Sequence, residues 1–236
     1  RSMHVVVEWA NRNRTPLHAH VSEQQAENDQ CIEAYGLTPT TLLNEHGMLG
    51  SGFTAVHATH LAGVDVDLLG VARATVCLCP TTERDLADGI GPALLLRDSG
   101  ARLALGSDSH AVIDLFEEAR AVELDERLAS QVRGSHDAPS LLRAATEHGH
   151  ACLGWPEAGR LEVGALADFV SLRLDTVRTA GASPSTALEA AVFAASAGDV
   201  HHVVVGGDVI VAGGRHLRLD VAAELAATIT ELMGAE

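Results

Sequence analysis

Pro16-Leu17-His18-Ala19-His20-Val21-Ser22-Glu23-Gln24 is a short apolar run that closes on a histidine, with a carboxylate three residues later. Proline before it and polar residues after it bound a strand, Leu17 to Ser22, and the residues from about Gln24 to Tyr35 have helical texture. Two further stretches close in the same manner: Val56-His57-Ala58-Thr59-His60 and Gly106-Ser107-Asp108-Ser109-His110. A histidine, a carboxylate, a second histidine and a late aspartate are the groups needed to bind a divalent ion and move protons around its water. The three stretches together predict a hydrolytic metal site.

Outward from these stretches the same alternation continues. The chain opens at Arg1, without a methionine, in a helical stretch from Met3 to Ala10 that Asn11 to Pro16 breaks. Buried-type strands are expected at Phe53 to Ala58, Thr75 to Leu78 and Leu103 to Leu105. Helical segments fall at Thr38 to Glu45, with Pro39 in the first turn, and near Asp65 to Leu69, Gly91 to Asp98, Ile113 to Leu128 and Pro139 to His148. Strands alternating with helices predict an α/β fold with a parallel sheet, in which chemistry collects at the strand carboxyl ends. His20, His57 and Asp108 all fall there.

After Trp155-Pro156 the texture changes. Gly159 to Leu174 has period-two strands with glycine turns, and a helix at about Ser185 to Ala194 leads to a hairpin. That hairpin pairs Val200 to Val205 with Val209 to Ala212 around Gly206-Gly207. An amphipathic helix is expected over Asp220 to Met233. The chain therefore divides into an α/β unit over 1–157, a smaller β-rich unit over 158–216 and a terminal helix over 217–236.

Composition narrows the partners. The chain has 32 acidic and 16 basic residues, a formal charge of −16, and no cluster of basic residues, which argues against a nucleic-acid backbone or an anionic membrane. There is no bilayer-length apolar run, and the cytoplasm is the expected compartment. Cys31, Cys77, Cys79 and Cys152 show no regular spacing and are expected to be reduced. Cys77 and Cys79 share one strand face and read as packing residues rather than as a zinc ribbon.

The chain resembles the carboxyl-terminal part of an amidohydrolase-superfamily deaminase. The resemblance rests on His20-x-x-Glu23, on His57 after the next strand, on Ser107-Asp108-Ser109, on the Gly159 to Asp168 turn, and on the valine-rich hairpin ending in Gly213-Gly214. Pro16 to Gln24, Val56 to His60, Asp88-Gly89-Ile90 and Gly106 to His110 look most like formimidoylglutamate deiminases within that superfamily. The resemblance implies an α/β (β/α)8 TIM-type barrel, here only its later strands, with a small β-sandwich. It also implies that a His-x-His pair on the first barrel strand supplies two more metal ligands. His18-Ala19-His20 is not that pair, because Glu23 and the partners that follow match the fifth strand. The sequence is thus expected to start after the fourth strand, and the isolated chain to bind metal poorly and lack activity.

On this resemblance His20 is a metal ligand, Glu23 shuttles a proton to the leaving nitrogen, and His57 is a second proton carrier and electrostatic stabiliser. Asp108 binds the metal or accepts the water's proton. Each has a plainer alternative: Glu23 could serve as a helix-opening carboxylate and Asp108 as a helix cap. His60 reads as a surface or supporting histidine, and His18 and His110 as groups that support the site or the fold. Thr81-Thr82-Glu83-Arg84 and Asp88 to Ile90 fall where the resemblance places part of the substrate wall, with Arg84 a candidate partner for a substrate carboxylate, set against the commoner case of an exposed arginine on a helix-opening loop.

The implied cofactor is one divalent ion, zinc or iron. The implied reaction is hydrolysis of N-formimidoyl-L-glutamate to N-formyl-L-glutamate and ammonia in histidine breakdown, with a small-molecule substrate and a homodimer. Two alternatives stand beside it: a deaminase of a nucleobase, nucleoside or triazine, and a non-catalytic fragment or binding module. The 3% aromatic content weighs against a ring-stacking pocket.

Overall fold

A computed structural model describes residues 2–109 and 112–234. Helix α1 (Ser2–Asn13) runs three residues past the expected end at Ala10 and leads into β1 (Leu17–Val21). Helices α2 (Gln25–Tyr35) and α3 (Pro39–Glu45) follow, then β2 (Phe53–His57), α4 (Gly63–Val71) and β3 (Thr75–Leu78). A short helix α5 (Pro80–Asp85) lies where the sequence reads as loop, before α6 (Ala93–Ser99) and β4 (Arg102–Leu105). The unit closes with α7 (Leu115–Ser130), α8 (Ala138–Arg143), a π-helical turn over Ala144–His148 and α9 (Gly149–Cys152).

Local chemistry sets these boundaries. The Thr38 hydroxyl accepts the Thr41 N–H at the start of α3, and Asp114 and Asp137 cap α7 and α8 in the same way. Proline occupies the first turn of α3, α5 and α8, where a missing N–H costs nothing.

The four strands form one parallel sheet in the order β1-β2-β3-β4, with β1 and β4 as its outer strands. Helices cover it, so β2 is buried on both faces, which is why Phe53 to Val56 reads as a nearly unbroken apolar run. Val21, Phe53, Leu69, Val76, Leu96, Val122 and Leu141 make up much of the core. Pairing sets His20 beside Val56, Val56 beside Cys77 and Cys77 beside Ala104, so these four side chains share one face of the sheet.

The second unit is an antiparallel sheet of β5 (Phe169–Leu172), β6 (Val200–Val205), β7 (Asp208–Ala212) and β8 (Arg215–His216). Only the last part of the expected Gly159 to Leu174 strand region is extended. Gly206 and Gly207, at φ 59° and 87°, turn β6 into β7 as a two-residue loop that demands left-handed backbone at both positions. Helix α10 (Ala187–Phe193) packs on α7 and α8. The Arg120 guanidinium donates to the Ala195 carbonyl, and Asp114 Oδ2 accepts the Ala197 N–H at 2.8 Å, which ties the two units together. Helix α11 (Val221–Met233) follows an Asp220 cap and is exposed throughout. Among the described residues no helix is long and apolar enough to cross a membrane.

Candidate active site

His20 stands near the end of β1, His57 ends β2, and Asp108 follows β4 by three residues. Side chains alternate along a strand, so His57 would by default face away from Val56 and therefore away from His20. The backbone at His57 turns left-handed instead, with φ 67°, and Ala58 follows at φ 54°. The His57 ring stacks on His20 with centroids 5.4 Å apart and planes at 23°. Ser22 and Asp108 are also left-handed, at φ 52° and 38°. Non-glycine residues rarely adopt this conformation, and its concentration at three strand ends marks a site that the surrounding structure holds in place.

One ligand atom from each of His20, His57 and Asp108 lies within 4.8 Å of the others. His57 is fully buried, and among the described residues its Nε2 has no hydrogen-bond partner. That atom lies 3.6 Å from Glu23 Oε1 and 3.8 Å from Asp108 Oδ2. A buried, unpaired nitrogen facing two carboxylates beside a second imidazole is costly to leave empty. Imidazole nitrogen with carboxylate oxygen is a donor set suited to a divalent transition ion, so these residues fit one.

The other His57 nitrogen is occupied. Nδ1 lies 3.3 Å from Glu83 Oε1, an oxygen that also accepts the Cys79 N–H at 2.8 Å. Burial alone would push the imidazole pKa down, but the hydrogen bond to Glu83 and the charges of Glu23, Glu83 and Asp108 outweigh it and hold it above the usual value. Glu83 lies within the stretch that the resemblance places in the substrate wall, and the structure puts it behind His57 instead. Without α5, nothing in Thr81-Thr82-Glu83-Arg84 says which side chain turns inward.

The remaining candidates are placed as follows. The Arg84 guanidinium is committed to Glu117 at 3.0 Å on the α5–α7 surface, an exposed ion pair that fits the exposed-arginine reading rather than the substrate-carboxylate one. His60 Nε2 donates to the Asp88 carbonyl at 2.7 Å and pins that loop over the end of β2. His18 Nε2 donates to the Cys152 carbonyl at 2.8 Å, a tie between β1 and α9. His110 lies outside the described residues. The four cysteines are free, and the Cys77 and Cys79 sulfurs converge on the face of Gly106. A hydrogen bond to Cys77 and burial push the Cys79 thiol pKa far up.

Known proteins resemble the chain over most of its length. A family model described as "Amidohydrolase family" matches residues 2–210. The chain is 35% identical over 214 residues to a formimidoylglutamate deiminase of Pseudomonas aeruginosa, covering 88% of this chain and 47% of that protein. It is 32% identical over 214 residues to a 5-methylthioadenosine/S-adenosylhomocysteine deaminase of Natronomonas pharaonis, covering 88% of this chain and 49% of the relative. An adenosine deaminase from Xanthomonas campestris, solved with bound zinc, superposes with a TM-score of 0.89 at 28% identity, covering 95% of this chain and 52% of the other. The chain thus spans about half the length of the relatives it matches.

Proposed function

Because the chain belongs to the amidohydrolase family, we propose that its protein is a metal-dependent deaminase that hydrolyses the amidine of N-formimidoyl-L-glutamate. The observation that carries the hydrolytic part is the buried, unpaired His57 Nε2 held between Glu23 and Asp108. The 35% identity to a formimidoylglutamate deiminase favours the linear substrate, as does the scarcity of aromatic side chains.

His20 and Asp108 would hold the ion, with His57 Nε2 within reach of the same point. Zinc is the favoured metal, since a solved relative contains it. When bound, the ion acidifies a water and polarises the amidine. Glu23 takes a proton from the attacking water and delivers it to the nitrogen that leaves, so water and amidine become N-formyl-L-glutamate and ammonia. His57, whose pKa is raised by the hydrogen bond to Glu83 and by the charges of Glu23, Glu83 and Asp108, would when protonated offer its Nε2 proton to the charge that develops as the C–N bond breaks. Asp108 sits where it can accept a proton or neutralise the ion.

A second reading follows from the 5-methylthioadenosine/S-adenosylhomocysteine deaminase relatives. Ammonia release by the full-length protein from N-formimidoyl-L-glutamate, 5′-methylthioadenosine, S-adenosylhomocysteine and guanine separates the two. Turnover of the formimidoyl compound above the ring substrates supports the linear substrate, and turnover confined to a nucleoside replaces it. No ammonia from any of them with zinc supplied would remove the deaminase reading.

A further inference from the structure

Three consecutive residues of α5 reach three different elements. The Thr81 N–H donates to Glu118 Oε2 at 3.0 Å and the Thr81 hydroxyl to Glu118 Oε1, which fastens α5 to a fully buried carboxylate on α7. Glu83 reaches His57, as described above. Thr82, fully buried between them, reaches the turn that carries Asp108. The Ser109 N–H donates to Thr82 Oγ1 at 3.1 Å, the Ser109 hydroxyl lies 3.1 Å from the same oxygen, and the Thr82 hydroxyl approaches the Ser107 carbonyl at 3.5 Å. Asp108 lies between these two anchored residues and is the one in the left-handed conformation.

We propose that Thr82 is a positioning residue whose hydroxyl, bridging Ser107 and Ser109, holds the strained Asp108 turn so that its carboxylate faces His20 and His57. A donor–acceptor hydroxyl suits this place, because one neighbour offers an N–H and the other a carbonyl. Removing a group that orients a ligand from behind typically costs about 10- to 100-fold in metal affinity or activity. The proposal rests on the metal-site reading and adds to it how Asp108 is fixed.

The test uses the full-length protein. Zinc affinity is measured by chelator competition for the wild type, Thr82→Val and Thr82→Ser, with kcat, KM and the exchange rate of the Ser109 amide hydrogen followed in each. Thr82→Val is expected to bind zinc at least about 10-fold more weakly, to expose the Ser109 amide to exchange, and to lose kcat while KM moves little. Thr82→Ser, which keeps the hydroxyl, is expected to restore all three. Wild-type zinc affinity in a folded Thr82→Val variant, or no recovery in Thr82→Ser, overturns the proposal. If Thr82→Val does not fold, the wild-type amide decides: slow exchange at Ser109 supports the bridge and exchange at an unstructured rate overturns it. A wild type that binds no stoichiometric divalent ion overturns the metal reading as well, an outcome distinct from equal binding by both proteins.

Discussion

His57 Nδ1 and Glu83 Oε1 lie 3.3 Å apart, and the same carboxylate oxygen accepts the Cys79 N–H, so α5 and the end of β3 together fix the ring that faces Glu23 and Asp108. The pair fixes which nitrogen is free and raises the imidazole pKa. A histidine whose pKa is raised on folding stabilises the fold fully below its unfolded value of about 6.5, and loses that contribution as pH rises through the higher folded value. In metal-free protein, Glu83→Gln is therefore expected to lower the His57 pKa, followed by imidazole NMR, and to shrink the stability gained on acidification through this range. With metal supplied, kcat should fall by about 10²-fold. An unchanged His57 titration would show that Glu83 is a packing group.

Proton transfer and metal binding should separate by mutation. Glu23 lies 3.6 Å from His57 but is not among the three residues whose ligand atoms converge. Glu23→Gln is expected to keep stoichiometric metal and lose about 10³-fold in kcat. His20→Ala and Asp108→Ala should instead lose metal, measured by elemental analysis after dialysis, and chelator should silence the wild type until zinc is returned. Metal loss in Glu23→Gln would move that carboxylate into the ligand set.

The strands that carry the site were legible because burial on both faces leaves short apolar runs, and β3 matches its expected span of Thr75 to Leu78. The placement of His20, His57 and Asp108 at strand ends was legible for the same reason. What brings His57 to face His20 was not, since a left-handed residue at a strand end leaves no mark in the periodicity of its neighbours. Helix α5 is six residues long, too short for a hydrophobic period, so the inward turn of Glu83 and Thr82 had no signal. The π-helical turn over Ala144–His148 likewise falls within the helix expected over Pro139 to His148, because its residues continue the same helical texture.

That π turn packs against β4, and Gly159 is where a returning loop touches it. Gly159 has φ +80°, and a Cβ there would come within 2.7 Å of the Thr146 carbonyl and the Glu147 nitrogen. Both are backbone atoms that cannot swing aside as a side-chain tip can. Gly159→Ala should cost about 3 kcal/mol, combining overpacking with a disfavoured backbone conformation. Chemical denaturation measures it; a loss under about 1 kcal/mol would mean that the loop simply lifts away.

Asp199 is expected to contribute to how the smaller unit responds to acid. Its buried carboxylate accepts the Arg178 Nε–H at 3.0 Å and the Ser196 N–H at 2.8 Å, just before β6 begins. Burial would raise its pKa, but the hydrogen bonds from Arg178, Thr176 and Ser196 outweigh burial and hold it well below the usual carboxylate range. A depressed pKa contributes stability above the unfolded value of about 3.9, and that contribution drains away as pH falls from there toward the folded value. Asp199→Asn keeps the shape and removes the charge, so it should cost about 2 kcal/mol at pH 7. The gap between variant and wild type should then narrow below about pH 4. Urea denaturation at both pH values checks this: a gap that stays constant into acid would mean that the charge of Asp199 contributes nothing and its geometry everything.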